Sequence, residues 1–393
     1  MSEMVKLKDI FLKPITGEWG EEPNGNNTVK IIKTNNIINT GDIDYTKITL
    51  RDIDSKKIKQ KKLIFGDILI EKSGGTPKNP VGRVCFFDKG NDTYLTNNFM
   101  STLRVINENC YHKYIFYSLF YLYKTRIVLN FQNKTTGISN LKLDRYLNTI
   151  KIFLPPFKEQ KQIAKRLDKA KELIELRQDS ISKLDELSKS IFIDMFGDPV
   201  GNPKKWNLEK LENFGVWIGG GTPSRKELNY FKGQIPWITT VSLNKLHIDK
   251  KDAVEFISEQ AIKNSATKLI PVNSIIIGTR VGVGKVSINT EELCTNQDII
   301  SITNLKSFVN NIYVYHLIQY IKKILINEQR GATIQGITSK YLKSVNLPIP
   351  PLNLQNKFSN TIQKIEQQKS LYQEQLTKLQ ENFDALLNEG FSV

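Results

Sequence analysis

The sequence is written twice, and that duplication restricts the chain to architectures built from two copies of one unit. Leu154-Pro155-Pro156-Phe157-Lys158-Glu159-Gln160 recurs as Ile349-Pro350-Pro351-Leu352-Asn353-Leu354-Gln355, 195 residues further on. Each copy opens a segment rich in Leu, Lys, Glu and Gln that reads as helix. Steps of four and three from Ile163 land on Leu167, Ala170, Ile174, Arg177, Ile181, Leu184, Ser188 and Ile191. The same steps from Phe358 land on Ile362, Ile365, Lys369, Tyr372, Leu376, Leu379, Phe383 and Leu386. This alternation is the seam of a coiled coil. Each helix is expected to run about 35–40 residues, roughly 55 Å at 1.5 Å per residue. The polar gaps Arg177, Ser188 and Lys369 are each expected to face an apolar position of the other stripe. The rival reading, two helices lying on their own domains, requires a wider apolar face.

The segments before the helices repeat as well. Residues 65–70 align with 271–277, 82–84 with 284–286, 95–98 with 294–297, 114–119 with 313–318, and 137–140 with 336–339. The order is therefore domain, helix, domain, helix, with bounds at 1–153, 154–197, 198–348 and 349–393. Inside the first domain, β-branched runs at 30–33, 67–70, 84–87 and 101–105 read as strands. One helix is expected near 112–129, and its counterpart at 311–327. The class is α+β: two similar globular domains with irregular, mostly antiparallel sheet.

Charge divides along the same boundaries. The chain carries a formal net charge of +16. Residues 1–151 hold 24 Lys/Arg against 15 Asp/Glu, and residues 198–346 hold 19 against 12. The helical segments are near neutral, with 9 against 8 in 157–196 and 4 against 5 in 352–393. Such a division suits a protein that meets a polyanion with its globular parts and protein with its helices. Cys85, Cys110 and Cys294 form no CxxC pair, so a reducing cytoplasm is the simple expectation. The three histidines, His112, His247 and His316, are scattered, which argues against a metal site. The first residues lack a signal-peptide core, and the longest apolar stretch, 111–131, is broken by Lys113, Lys124 and Arg126.

Two motifs suggest enzymes and fail. Pro155-Pro156-Phe157 resembles part of an adenine-methylase motif, but Leu154 and Ile349 stand where a polar group must accept from the adenine amine. A rigid lead into the helix is the better reading. Gly282-Val283-Gly284-Lys285 suggests a phosphate loop, yet Thr279 replaces the first glycine and Val286 follows the lysine. No cofactor is expected.

The second domain opens Trp206-Asn207-Leu208-Glu209, then Gly219-Gly220-Gly221-Thr222-Pro223-Ser224, then Ile235-Pro236-Trp237. The first contains Gly17-Glu18-Trp19-Gly20 and, later, 72–84 with its Ser-Gly-Gly-Thr-Pro. With the duplication and the Pro-Pro-led helices, the whole chain resembles the DNA-specificity subunit of a type I restriction–modification system. The resemblance implies two target recognition domains separated by a two-helix antiparallel coiled coil, each reading half of a split double-stranded DNA site. It implies no catalysis by this chain, two adenine-N6 methyltransferase subunits as partners, and motor-nuclease subunits for cleavage. A pseudo-two-fold relation between the copies also makes the helices antiparallel. Rival readings are a coiled-coil scaffold that binds DNA without base preference, and a stand-alone methylase or nuclease.

The candidate DNA contacts lie in the repeated loops. They are Lys72, Ser73, Thr76, Lys78 and Arg83 in 72–84, Lys134 and Thr135 in 133–137, and Thr222, Ser224 and Arg225 in 219–226. Arg280 and Lys285 flank the turn at 282–285, and Arg330 and Gln335 lie in 330–336. Gly-rich loops admit phosphates closely, and Arg and amides can pair with base edges, whereas the lysine run at 56–62 reads as a solvated face that, where it touches DNA, acts on phosphates.

Overall fold

The computed structural model describes residues 3–25, 27–76, 79–135, 138–328 and 336–392. It divides into two compact units, Met1–Arg177 with Gln375–Val393, and Gln178–Glu374.

In the first unit the central sheet has four antiparallel strands in the order Ile15–Thr16, Met100–Leu103, Ile68–Glu71, Val84–Phe86. All four residues of Ile68–Glu71 are buried because both faces are covered. Ile68 and Ile70 face a core with the helix His112–Lys124, while Leu69 joins a second cluster with Ile32, Leu63 and Phe87. That is the period of two expected of a strand. A three-stranded sheet, Thr49–Asp52, Thr28–Ile32 and Tyr94–Thr96, carries the domain's parallel pairing. The helix expected to reach 129 ends at Lys124. Thr125 bonds back to Tyr121, and Arg126 turns left-handed at φ 61°, starting a 3-10 turn at Ile127–Phe131.

The second unit repeats the plan with five strands, ordered Val216–Gly219, Ile299–Thr303, Ile275–Gly278, Val286–Asn289, His247–Ile248. Ile275 and Ile277 pack toward the helix Asn311–Asn327, and Ile276 packs with Ile238, Leu243 and Ile248. In both domains the ends of the chain are tied together. Glu3–Lys6 pairs with Lys151–Leu154, and Asn207–Lys210 pairs with Asn346–Ile349.

Each Pro-Pro then leads into a 40-residue helix, Phe157–Phe196 and Leu352–Phe391. The glutamine four places after the second proline is buried in both. Gln160 accepts from the Tyr111 N–H at 2.8 Å and donates to the carbonyls of Asn109 and Pro155, each at 2.8 Å. Gln355 accepts from Asn310 N–H at 2.8 Å and donates to Phe308 and Pro350 carbonyls at 3.0 and 2.8 Å. One side chain thus locks the start of a long helix to the start of a domain helix. The Tyr114 and Tyr313 hydroxyls add equivalent bonds to the carbonyls of Phe153 and Pro348.

Within each unit the helices run antiparallel. In the first, Arg166 reaches Glu389 at 3.4 Å and Ile163 abuts Gly390. In the second, Asp185 meets Lys369, and Phe192 and Phe196 pack on Phe358. None of the seam positions Ile163, Leu167, Ile174, Ile181, Leu184, Ile191, Phe358, Ile362, Ile365, Tyr372, Leu376, Leu379, Phe383 and Leu386 is exposed. The expected pairing of polar gaps with apolar positions is corrected. Lys369 meets the carboxylate of Asp185, and Ser188 bonds to its own turn at Leu184. The apolar face also broadens toward the domains, where Ala164, Phe192, Phe196 and Leu387 are buried as well. The helices therefore do both jobs, pairing with each other and covering the domain cores.

Candidate nucleic-acid interface

The repeated loops gather at one end of each central sheet, through matching backbone hydrogen bonds. In the first domain Glu18 N–H donates to Thr96 O at 2.8 Å, Lys72 N–H to Phe99 O at 2.9 Å, and Leu141 N–H to Lys72 O at 2.8 Å. In the second, Gly221 N–H donates to Thr295 O at 2.8 Å, Thr279 N–H to Asp298 O at 2.8 Å, and Ile337 N–H to Thr279 O at 2.8 Å. Glycine is required where the loops at Gly17 and Gly220 cross those at Asn97 and Asn296. A Cβ on Gly17 would stand 1.9 Å from Asn97 O, and one on Gly220 would stand 2.0 Å from Asn296 O. No side chain fits such an approach.

These bonds revise one alignment. Gly220 is the counterpart of Gly17, and Thr279 that of Lys72. Leu141, rather than Ile138, holds the place of Ile337. The match of 82–84 with 284–286 stands, since Ile70 pairs with Val84 as Ile277 pairs with Val286. The segment 282–285 is a hairpin turn between two antiparallel strands, with no helix following, so it lacks the strand–loop–helix form of a phosphate loop.

The predicted contact residues fall into distinct environments. Ser73 lies in the strand Ser73–Gly75, beside the hairpin Gln132–Thr135 and Ile138–Leu141, and its hydroxyl bonds to Asn140 at 2.6 Å. Lys134 and Thr135 are in that hairpin, so the structure joins the loops 72–76 and 133–135. Thr76 caps the next turn by accepting from Asn79 N–H. Lys72 is half-buried, and burial, with Lys61 nearby, pulls its ammonium below the usual lysine range. An anion alongside would reverse that shift. Thr222 and Ser224 are exposed, and the Thr222 hydroxyl donates to Gln297 Oε1. Arg280 lies 3.6 Å from Asp298 with half its side chain in solvent. Lys78, Arg330 and Gln335 lie outside the described residues.

Three cations have partners within the protein. Arg83 was expected at a DNA-facing turn, but its guanidinium points inward. It forks onto Glu71 at 2.7 and 3.1 Å and donates to Thr34 O at 3.1 Å. Glu71 is buried and must be paired, and this explains the orientation. Arg225 forks onto Glu255 at 2.7 and 2.6 Å while lying over Phe231. Lys285 donates to Thr240 O at 3.2 Å. In the lysine run, Lys57 and Lys61 hold Glu18, whose carboxyl the Lys61 bond keeps below its usual range, while Lys56, Lys59 and Lys62 are exposed.

In the second domain the junction encloses an open groove of ≈ 390 Å³, lined by Gly220, Thr279, Arg280, Gln297 and Gly336 among others. Glycine backbone, hydroxyls, an amide and a cation on one concave surface suit a phosphodiester backbone with exposed base edges. Residues 97–99 and 296–298, the inner loop of each junction, were visible in the sequence only as a repeat. Among the described residues no cluster of His, Cys, Asp and Glu could hold a metal ion, and no helix is long and apolar enough to cross a membrane.

Residues 2–186 and 203–381 each match the type I restriction modification DNA specificity domain. The putative type I restriction enzyme MjaX specificity subunit of Methanocaldococcus jannaschii is 26% identical over 404 residues, covering 99% of this chain and 93% of that one. The MjaVIII specificity subunit of the same organism is 25% identical over 374 residues, covering 87% and 84%. The fold is shared with the S subunit of a type I restriction-modification system from M. genitalium, at a TM-score of 0.57, 16% identity and coverage of 100% and 96%. It is shared too with a chain from a structure on complex assembly and conformational transition of the type I R-M system, at 0.59, 19% identity and coverage of 99% and 97%.

Proposed function

The chain belongs to the type I restriction modification DNA specificity family and is a DNA-recognition subunit, and from that premise we propose that each domain reads one half of an interrupted duplex site. The observation that carries this reading is the same loop junction at the same end of both central sheets. The equivalent places hold different side chains, Ser73 against Arg280 and Phe99 against Asp298, so the two half-sites differ in sequence. Lys56, Lys59 and Lys62 act on phosphates, while the glycine-lined junctions face the bases.

The near-neutral long helices carry two adenine-N6 methyltransferase subunits and set the distance between the half-sites, with motor-nuclease subunits joining for cleavage. This chain contributes recognition and no chemistry. Mapping modified adenines in cells with and without the chain yields the site. Salt titration of binding to that site and to a scrambled duplex then tests the reading. A scaffold without base preference gives the same affinity for both at every salt concentration; a specificity subunit keeps a large ratio between them.

A further inference from the structure

Resting on the DNA-reading role above, the geometry points to Asn98 and Gln297 as equivalent base-reading residues, each using its amide to contact an adenine edge in its own half-site. Both follow a Thr-Asn pair at the innermost loop of the junction. Both side chains are exposed although the residue before each is buried, Asn97 at 2% and Asn296 at 8%.

The backbone under them is fixed in the same way. Asn97 N–H donates to Ile32 O at 2.9 Å and Met100 N–H to Asn97 O at 3.1 Å. Asn296 N–H donates to Ile238 O at 3.0 Å and Ile299 N–H to Asn296 O at 3.2 Å. Gly17 and Gly220 press on the carbonyls of Asn97 and Asn296 from the other side. The loop backbone is therefore preorganised, and it presents the amide at its tip to solvent.

A second feature recurs at the same place. The Oδ1 atoms of Asn97 and Asn296 are buried with no hydrogen-bond partner among the described residues. The same position carries a buried acceptor in both domains, so the two loops match in this detail as well as in their backbone bonds.

An amide offers a donor and an acceptor side by side, which matches the N7 acceptor and N6 amine of adenine in the major groove. Thr222 acts as a positioning residue. Its hydroxyl donates to Gln297 Oε1, and the second lone pair of that oxygen is left to accept from the adenine amine. In the first domain no side-chain partner fixes Asn98 among the described residues, and the shorter side chain needs less orientation. Cations flank both positions, Lys72 through its N–H bond to Phe99 O and Arg280 beside Asp298.

The test is selection from a pool of randomised duplexes by the full-length chain. Wild type should enrich a two-part site. Gln297→Ala should lose preference at one adenine of one half, with affinity for the enriched site falling about 5- to 150-fold, the worth of one bidentate base contact. Asn98→Ala should do the same in the other half, and Thr222→Val should weaken the Gln297 column only. Gln297→Glu keeps the acceptor and loses the donor, so its column should move toward cytosine. That gain also reads out if the alanine variant folds poorly. The inference is overturned if wild type enriches a two-part site and the variants enrich the same one, if both halves fail together in a folded variant, or if the affected base pair is not A·T. If wild type enriches nothing, the DNA-reading role itself fails.

Discussion

Replacing Gln160 by alanine should open the join between the first long helix and its domain while leaving the second unit intact. Gln160 is 1% exposed and makes three hydrogen bonds of 2.8 Å. Asn109 is exposed, so water can replace the bond to its carbonyl. The Pro155 carbonyl is buried and has no such substitute, and Tyr111 is half-buried. Two stranded groups at about 1–3 kcal/mol each amount to roughly 2–6 kcal/mol. Hydrogen exchange followed by mass spectrometry is the direct assay. In Gln160→Ala the peptide around Tyr111 should lose protection by about 30- to 20,000-fold, at about 1.4 kcal/mol per factor of ten. The peptide around Asn310, held by Gln355, should exchange as in wild type. Gln355→Ala should give the mirror result. Gln160→Glu should be no better than alanine, since a carboxylate facing two carbonyls keeps the acceptor and loses both donors. A change below about 1 kcal/mol at Tyr111, or equal loss in both units, would refute the claim that this glutamine clamps its own domain.

Three further outcomes follow from other parts of the structure. Arg83→Ala should cost about 3–5 kcal/mol in thermal or urea unfolding, because it leaves the buried Glu71 carboxylate unpaired. It should leave the slope of log binding constant against log salt unchanged; a slope smaller by about one at normal stability would instead place Arg83 on a phosphate. His316 is wedged among Phe192, Phe358 and Tyr315 with its Nε2 unpartnered among the described residues, and burial, reinforced by Lys369, pushes its pKa down from 6.5 to about 4. Below pH 6.5 the unfolded chain takes a proton the folded ring resists. The second unit should therefore be fully stable above that pH and lose about 1 kcal/mol per unit on descent toward pH 4. Denaturation midpoints at pH 7 and 5 should converge in His316→Phe; an unchanged difference would acquit the histidine. Finally, deleting one heptad from the first long helix with its partner heptad from the second removes about 10 Å of helix, so the preferred gap between half-sites should shorten by roughly three base pairs. A folded deletion variant with an unaltered gap would remove the helices from that role.

Duplication, class and the long helices were legible in the residues themselves. The seam from Ile163 to Ile191 and from Phe358 to Leu386 is a local pattern, repeated every three or four residues, and the helices it implies are there at 40 residues each. The run Ile275-Ile276-Ile277 likewise shows its strand without outside help. The junction was not legible in this way. It is made by backbone groups such as Lys72 with Leu141 and Thr279 with Ile337, far apart in the chain and indifferent to side-chain type. Only tertiary structure could pair Gly220 with Gly17, turn Arg83 inward to the buried Glu71, and bring Thr222 to Gln297. Periodicity records which face of an element is buried. Which distant loop meets it, and whether a charge then looks out or in, is decided by the packing of the whole domain.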